Sequence, residues 1–288
     1  MKQSPLVSVL MTAYNRELYI AEAIESVLAQ DYQHYELIIV DDCSTDHTVE
    51  IANSYQKKDS RIQVYVNEKN LGQFLNRNKA ATISRGELLV FVDSDDTINK
   101  DSLSYIIKEF EKYPAANFAT IYHKKDIQDS VIITSSEAIN KHFFQGSFLH
   151  IGPGGTVIKK SFFDKIGGFL NIYGPVGDMY YNIKAASNTD VILLAYNYLN
   201  YRQHENQELN NPFSYLYNGY RYFDDMLLLE DLPLTKKQIS FLKKKNKRRF
   251  LLNLIRYYIK KRNLGELKIA IKLARFNIRD FFIAIFQF

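Results

Sequence analysis

Glu87-Leu88-Leu89-Val90-Phe91-Val92-Asp93-Ser94-Asp95-Asp96 decides the fold class and locates the chemistry. The apolar run reads as a strand buried on both faces. Three carboxylates follow within four residues. One acid would serve to cap the helix-like run that begins near Asp101. Three are costly to desolvate unless something cationic meets them. Hard divalent ions such as Mg²⁺ and Mn²⁺ take oxygen ligands and often share carboxylates with a substrate phosphate. The stretch therefore predicts a metal–phosphate site at the carboxyl end of a strand.

Upstream, the same pattern recurs. Leu6 to Met11 is strand-like and runs into Thr12-Ala13-Tyr14-Asn15. Leu37 to Val40 is a second apolar strand, ending in Asp41-Asp42. Helical periodicity fills the gap from Arg16 to Gln30, with Ile20, Ile24, Val27 and Leu28 on one face. A helix capped by Ser44-Thr45-Asp46 is expected to run to about Lys57, then a strand over Ile62–Val66, then a helix from Gln73 to Ser84. This β-α-β-α-β-α-β order predicts an α/β fold with a mostly parallel sheet flanked by helices. Such sheets bind ligands outside the carboxyl ends of their strands. Three polar clusters at three strand ends thus point to one shared site.

The second half is less regular. Gly152-Pro153-Gly154-Gly155 is a turn. Thr156 to Ile158 reads as a strand and Ser161 to Ile166 as a short helix closed by Gly167-Gly168. Asp178 begins a further helix to about Ser187.

The chain has 288 residues, 46% of them hydrophobic, enough for a large core. A single cysteine, Cys43, excludes an internal disulfide and a thiolate zinc site. Met1 to Pro5 lacks the apolar core of a signal peptide, and no apolar run reaches the roughly 18–20 residues of a membrane span. The net charge of +5 is unevenly spread: residues 236–288 hold 16 Lys and Arg against 2 Asp and Glu, +14, so the remainder carries −9. An acidic body with a basic tail suggests two tasks. Within the tail, Lys268, Lys272, Arg275 and Arg279 recur at helical spacing opposite Ile271, Ala274, Ile278, Phe281, Phe282 and Ile285. That predicts one basic amphipathic helix. An anionic membrane surface suits it, as would packing on the body or on another subunit, so an oligomer is compatible; nothing else supports nucleic acid.

The ordered motifs resemble the family-2 inverting glycosyltransferases over roughly residues 5–205. They are Val7 to Arg16, Tyr35 to Asp46, Asn70-Leu71-Gly72 with Arg77-Asn78, Arg85-Gly86-Glu87 leading into Phe91 to Asp96, Gly167-Gly168-Phe169, and Gly177-Asp178. The family's usual Gly after the paired Asp is Cys43 here. The Gln-x-x-Arg-Trp signature of processive members is missing, and the chain has no Trp. The resemblance implies a GT-A-type, Rossmann-like catalytic domain over 1–205 and a helical, basic C-terminal region over 206–288.

It also implies roles. Thr12, Ala13, Tyr14, Asn15 and Arg16 form the loop that meets the base, with Tyr14 either stacking on it or packed as a core aromatic. Asp42 accepts from the base imide, which favours uracil or thymine; Asp41 orients the loop. Arg77 and Asn78 brace the nucleotide loop. Asp93, Ser94 and Asp95 face the ribose and diphosphate. Asp96, with Asp95 and His204 of Tyr201-Arg202-Gln203-His204-Glu205-Asn206, holds Mn²⁺ or Mg²⁺. Asp178 is the general base, or else caps its helix. The expected activity is non-processive, inverting transfer from a nucleotide sugar, a UDP-sugar by preference, to a saccharide or lipid-linked glycan in bacterial surface polysaccharide synthesis. The expected setting is the cytoplasm, either free or peripheral on the cytoplasmic face of the membrane. A nucleotidyltransferase would want a Gly-rich, basic loop after the first strand, and Thr12 to Asn15 is not one. A glycan- or membrane-binding module with a degenerate site is the reading from another class.

Overall fold

The computed structural model describes residues 4–123, 127–204 and 212–286. Its centre is an eight-stranded sheet in the order β3-β2-β1-β4-β8-β6-β9-β7. The strands are β1 (Val7–Ala13), β2 (Tyr35–Asp41), β3 (Ile62–Val66), β4 (Leu88–Phe91), β6 (Phe118–Ile121), β7 (Val131–Ile133), β8 (Thr156–Lys159) and β9 (Val191–Leu194). The short strands β5 (Thr97–Ile98) and β10 (Leu199–Asn200) pair separately, antiparallel.

The first four strands are parallel, with Val9 beside Leu37 on one side and Val90 on the other. Helices α1 (Ile20–Leu28), α2 (Thr48–Gln56) and α3 (Gln73–Ile83) make the crossovers. Beyond β4 the sheet turns mixed: β8 is antiparallel to both β4 and β6, β9 is parallel to β6, and β7 is antiparallel to β9.

Side chains alternate across the pleat. Leu10, Ile38, Leu89 and Phe91 enter one core with Phe74 of α3, Phe162 of α6 (Lys160–Ile166) and Tyr181 of α7 (Gly177–Ser187). Val9, Met11, Leu37, Ile39 and Val90 enter the other with Ile24 of α1 and Ile106 of α4 (Ser102–Lys112). With both faces buried, these strands read as unbroken apolar runs.

The close approach of β1 and the β4 entrance depends on Gly86. Its N–H donates to Ser8 Oγ at 2.8 Å, and Ser8 in turn donates to the buried Glu36 at 2.7 Å. A Cβ at residue 86 would lie 2.5 Å from the Ser8 backbone nitrogen and 2.9 Å from Leu6 O. Gly86→Ala should therefore destabilise the fold by about 1–3 kcal/mol through overpacking. A urea midpoint equal to wild type would refute this account of the motif.

The C-terminal region is helical, as expected, and its junction at 205/206 lies outside the described residues. Tyr222, Phe223 and Met226 of α8 (Pro212–Met226), with Leu242 of α9 (Lys236–Lys261), join the first core. Farther out, Phe250, Leu254, Ala270, Ala274, Phe276 and Ala284 form a cluster of their own. The expected single amphipathic helix is corrected to two, α10 (Leu264–Leu273) and α11 (Ile278–Phe286). Arg275 adopts φ 54° between them, which ends the first helix. Asn277 and Asp280 then cap the second reciprocally, at 3.0 and 3.1 Å. The break rotates the apolar side chains: Ala274 and Phe276 are buried, whereas Ile278, Phe282 and Ile285 are exposed. Among the described residues, no helix is long and apolar enough to cross a membrane.

Candidate active site

The three polar strand ends converge. Ser94 Oγ donates to Thr12 O at 2.8 Å, joining the β4 and β1 ends. Asp42 N donates to Ala13 O at 2.8 Å, joining β2 to β1. Asn15 receives Thr45 N on its side-chain oxygen at 2.9 Å, and its own N–H donates to Ser44 Oγ at 2.8 Å.

Arg16 closes the loop. Its Nε donates to Asp95 Oδ2 at 2.9 Å while Nη1 holds the Tyr14 and Asn15 carbonyls. Tyr14 is 46% exposed beside this cluster, so it is a rim aromatic and not part of the core.

Asp41 receives Ser44 N at 2.8 Å and the Ser44 hydroxyl, which shapes the turn. Cys43 sits in that turn at φ 68°, the left-handed region that Gly occupies without cost. The buried Asp42 accepts from Asn67 Nδ2 and Leu71 N at 2.8 Å and from Gly72 N at 2.9 Å. Its carboxylate thereby fixes the Asn70-Leu71-Gly72 loop beside the strand ends. Gly72, at φ 83°, makes that turn before α3.

Arg77 is 5% exposed and donates from Nη2 to Asp93 Oδ1 at 2.6 Å; its buried Nε has no hydrogen-bond acceptor. Thr12 Oγ1 approaches the same Asp93 oxygen at 3.5 Å. Asn78 points elsewhere. Its amide exchanges two bonds with the Phe169 backbone, at 2.8 and 2.9 Å, and so ties α3 to the Gly167–Phe169 turn. Gly154 packs under the sheet, its carbonyl accepting from Tyr198 at 2.9 Å.

The segment after β10 closes over the acids. His204 Nε2 lies 2.9 Å from Asp95 Oδ2, and Arg202 N donates to Asp96 Oδ1 at 2.9 Å. Tyr19 stacks on His204 at 4.8 Å between centroids, and the Arg202 side chain pairs with Glu22. Tyr19 and Glu22 carry no motif, and only their position on the first crossover brings them here.

Electrostatics sort the carboxyls. Burial would raise Asp95, but His204 and Arg16 hold it below its ordinary value. Asp96 is pushed up to about 7, chiefly by burial and then by the Asp93 charge, against the opposing Arg202 N–H. A carboxyl so crowded with like charge is one that a cation relieves. Among the described residues, no group of three or more His, Cys, Asp and Glu gathers to hold an ion. Asp95 and Asp93 already face cationic side chains. The residues present therefore fit an ion held by Asp96 together with a ligand's own phosphate oxygens, which is the usual economy of Mg²⁺ sites.

Asp178 lies in the first turn of α7 and accepts from Met179 N at 2.8 Å. It does not cap the helix, whose N-cap is Val176. Burial raises it to about 6, Arg77 opposes that shift and Asp93 adds to it. Asp178 thus feels the charges of both Arg77 and Asp93, the pair at the β4 end.

Solved structures share this fold. The chain superposes on S. aureus TarS 1-349 in complex with UDP-GlcNAc with a TM-score of 0.73 at 22% identity, covering 93% of this chain and 79% of that one. It superposes on the mannosyltransferase PcManGT from Pyrobaculum calidifontis, in complex with GDP-Man and Mn²⁺, with a TM-score of 0.66 at 15% identity, covering 99% and 85%. A Bacillus subtilis protein named as a teichuronic acid biosynthesis glycosyltransferase, TuaG, is 48% identical over 99 residues, 34% of this chain and 39% of its own length. Glycosyltransferase GlyG of Streptococcus pneumoniae is 32% identical over 126 residues, 44% and 42%. The matches span well under half of either relative. The family model of glycosyl transferase family 2 matches residues 8–167, which take in all three strand ends of the site, and the chain belongs to this family.

Proposed function

We propose that the protein transfers one sugar at a time, with inversion, from a nucleotide sugar, preferably a UDP-sugar, to a saccharide or lipid-linked acceptor. The observation that carries this reading is the convergence of the polar strand ends: Asp42 N and Ser94 Oγ both bond to the β1 end, and Asp95 there meets Arg16 and His204. UDP-GlcNAc in TarS supports a uridine donor, and GDP-Man in PcManGT supports a nucleotide sugar more broadly. TuaG, named for teichuronic acid biosynthesis, supports a role in polysaccharide synthesis.

In this reading the base stacks on the exposed Tyr14, a contact of about 1–3 kcal/mol in nucleic-acid systems. Thr12, Ala13 and Asn15 border it, and Asp42 holds the neighbouring loop and takes the imide N–H. Arg16 positions Asp95 at the ribose, and Ser94 fastens that turn. Arg77 holds Asp93 and lies near the diphosphate. Asp96 would hold Mn²⁺ or Mg²⁺, with Asp95 and His204 beside it; when bound, the ion supplies charge neutralisation to the departing diphosphate. Asp178 accepts the proton of the attacking acceptor hydroxyl. The new C1–O bond forms as the C1–O bond to phosphate breaks on the opposite face, and its electron pair leaves with the diphosphate.

Exposed Ile278, Phe282, Ile285 and Phe286 lie on α11, with Lys268, Lys272 and Arg279 also exposed. This surface supports peripheral contact with anionic lipid, which would bring a lipid-linked acceptor within reach.

Thermal stabilisation by a panel of nucleotides and nucleotide sugars, with and without Mn²⁺, tests the reading. A Mn²⁺-dependent rise with one UDP-sugar, absent in Asp96→Ala, is expected. No stabilisation by any nucleotide would overturn it in favour of a binding module.

A further inference from the structure

A cleft outside the strand-end site is lined by cations of α9. It has a volume of about 280 Å³ and opens between α5 (Ser135–Phe144), the loop to His150, and α9. His142, His150 and Phe223 line one side. Lys245, Arg248, Arg249 and Arg256 of α9 line the other. Their spacing puts these four cations along one helical face. No described residue lining the cleft is acidic.

Lys245, Arg248, Arg249 and Arg256 are all exposed at the cleft. Lys247, on another face of α9, meets Asp280 at 2.7 Å, so there the helix carries its own counter-charge. Arg249 instead lies over the Phe223 ring at 4.8 Å and donates to Asn246 at 2.9 Å, a neutral partner. The two histidines add no charge: burial pushes His142 down to about 3 and His150, with Arg249 beside it, down to about 4. His142 Nδ1 instead accepts Leu149 N at 3.1 Å, and His150 Nε2 meets the Tyr222 hydroxyl at 2.9 Å. The wall is built and neutral, and the positive charge comes from α9 alone.

The cleft adjoins a second recess. This recess of about 230 Å³ shares His150, Asn246 and Arg249 with it; Asp178 does not line it, but Tyr222 does, and the Asp178 charge acts on the Tyr222 hydroxyl. Arg249 stands where the two meet. Clustered guanidinium groups match phosphate and carboxylate oxygens in paired hydrogen bonds.

We propose that this cleft binds an anionic group of the acceptor, a phosphate or a carboxylate, so that the acceptor lies across both recesses with its reactive hydroxyl toward Asp178. The inference rests on the transferase reading for the word acceptor; anion binding itself does not.

The six histidines give a local readout. In ¹H–¹³C spectra of the metal-free full chain, methyl phosphate or glucuronate is titrated while the His142, His150 and His204 ring signals are followed. The expected result is saturable movement of His142 and His150 with His204 unmoved, and an apparent affinity at least about tenfold weaker in the Arg249→Gln/Arg256→Gln variant, since charge-assisted pairs are lost. Both side chains are exposed, so the fold should persist; Lys245→Gln is the milder second variant. Whichever probe binds more tightly identifies the anion. Absence of movement with either probe, movement of His204 alone, or unchanged affinity in the double variant would overturn the proposal. UDP with Mg²⁺ is added separately: a His204 response without an anion response rejects the cleft alone, and an anion response without one rejects the transferase reading alone.

Discussion

Asp178→Asn lowers sugar transfer by roughly 10²–10⁴-fold, the range that a positioned general base contributes. Nucleotide affinity stays at the wild-type level, because Asn can still accept from Met179 N and hold the first turn of α7. The amide keeps the shape and removes the proton acceptor, so any loss belongs to chemistry. Direction with pH follows from the same carboxyl. Burial raises Asp178 to about 6, and only its ionised form accepts a proton. In wild type, kcat/KM falls about tenfold per unit as pH drops below that value and levels off above it. Transfer by Asp178→Asn at the wild-type rate, or an unaltered acid limb in that variant, would remove Asp178 from its role.

Arg77→Met carries the largest cost to stability. Arg77 is buried, its partner Asp93 is 29% exposed, and the pair is 2.6 Å apart. Breaking a buried pair by removing one partner costs about 3–5 kcal/mol; the partial exposure of Asp93 places this case near the lower end, about 3 kcal/mol. Arg77→Lys should recover only part of it, since an ammonium cannot reproduce the guanidinium fork. A second effect separates this from mere loosening of α3. Arg77 opposes the rise in Asp178, so its removal moves the acid limb of the pH profile to higher pH. Urea unfolding and the pH profile of kcat/KM check the two parts. A destabilised Arg77→Met with an unmoved acid limb would make Arg77 a brace and nothing more.

Much of this was readable in the chain. Three of the four parallel strands, β1, β2 and β4, announce themselves as largely apolar runs ending in polar residues, because both faces are covered and ligands meet strand ends, whereas the edge strand β3 alternates. Thr12, Asp42 and Asp93 to Asp96 do converge. The other half of the sheet was only partly legible. β8 showed as a strand, but β6, β7 and β9 are three or four residues long and lie in segments without clear period. The partners of Asp42 were hidden because two of them are backbone N–H groups, which no residue type advertises. The split between α10 and α11 was hidden too: the Lys268, Lys272, Arg275, Arg279 rhythm runs straight through a left-handed Arg275 that neither Gly nor Asn marks.

The pairing of β4 with β8 has a consequence for synthesis. Leu88 to Val90 bond to Val157 to Lys159, some seventy residues later in the chain. Until that later segment leaves the ribosome, β1 to β4 can assemble from local crossovers, but the outer edge of β4 stays open. An unpaired apolar edge invites another nascent chain. The protein therefore meets this risk of aggregation with β1 to β4 already translated and β8 not yet made.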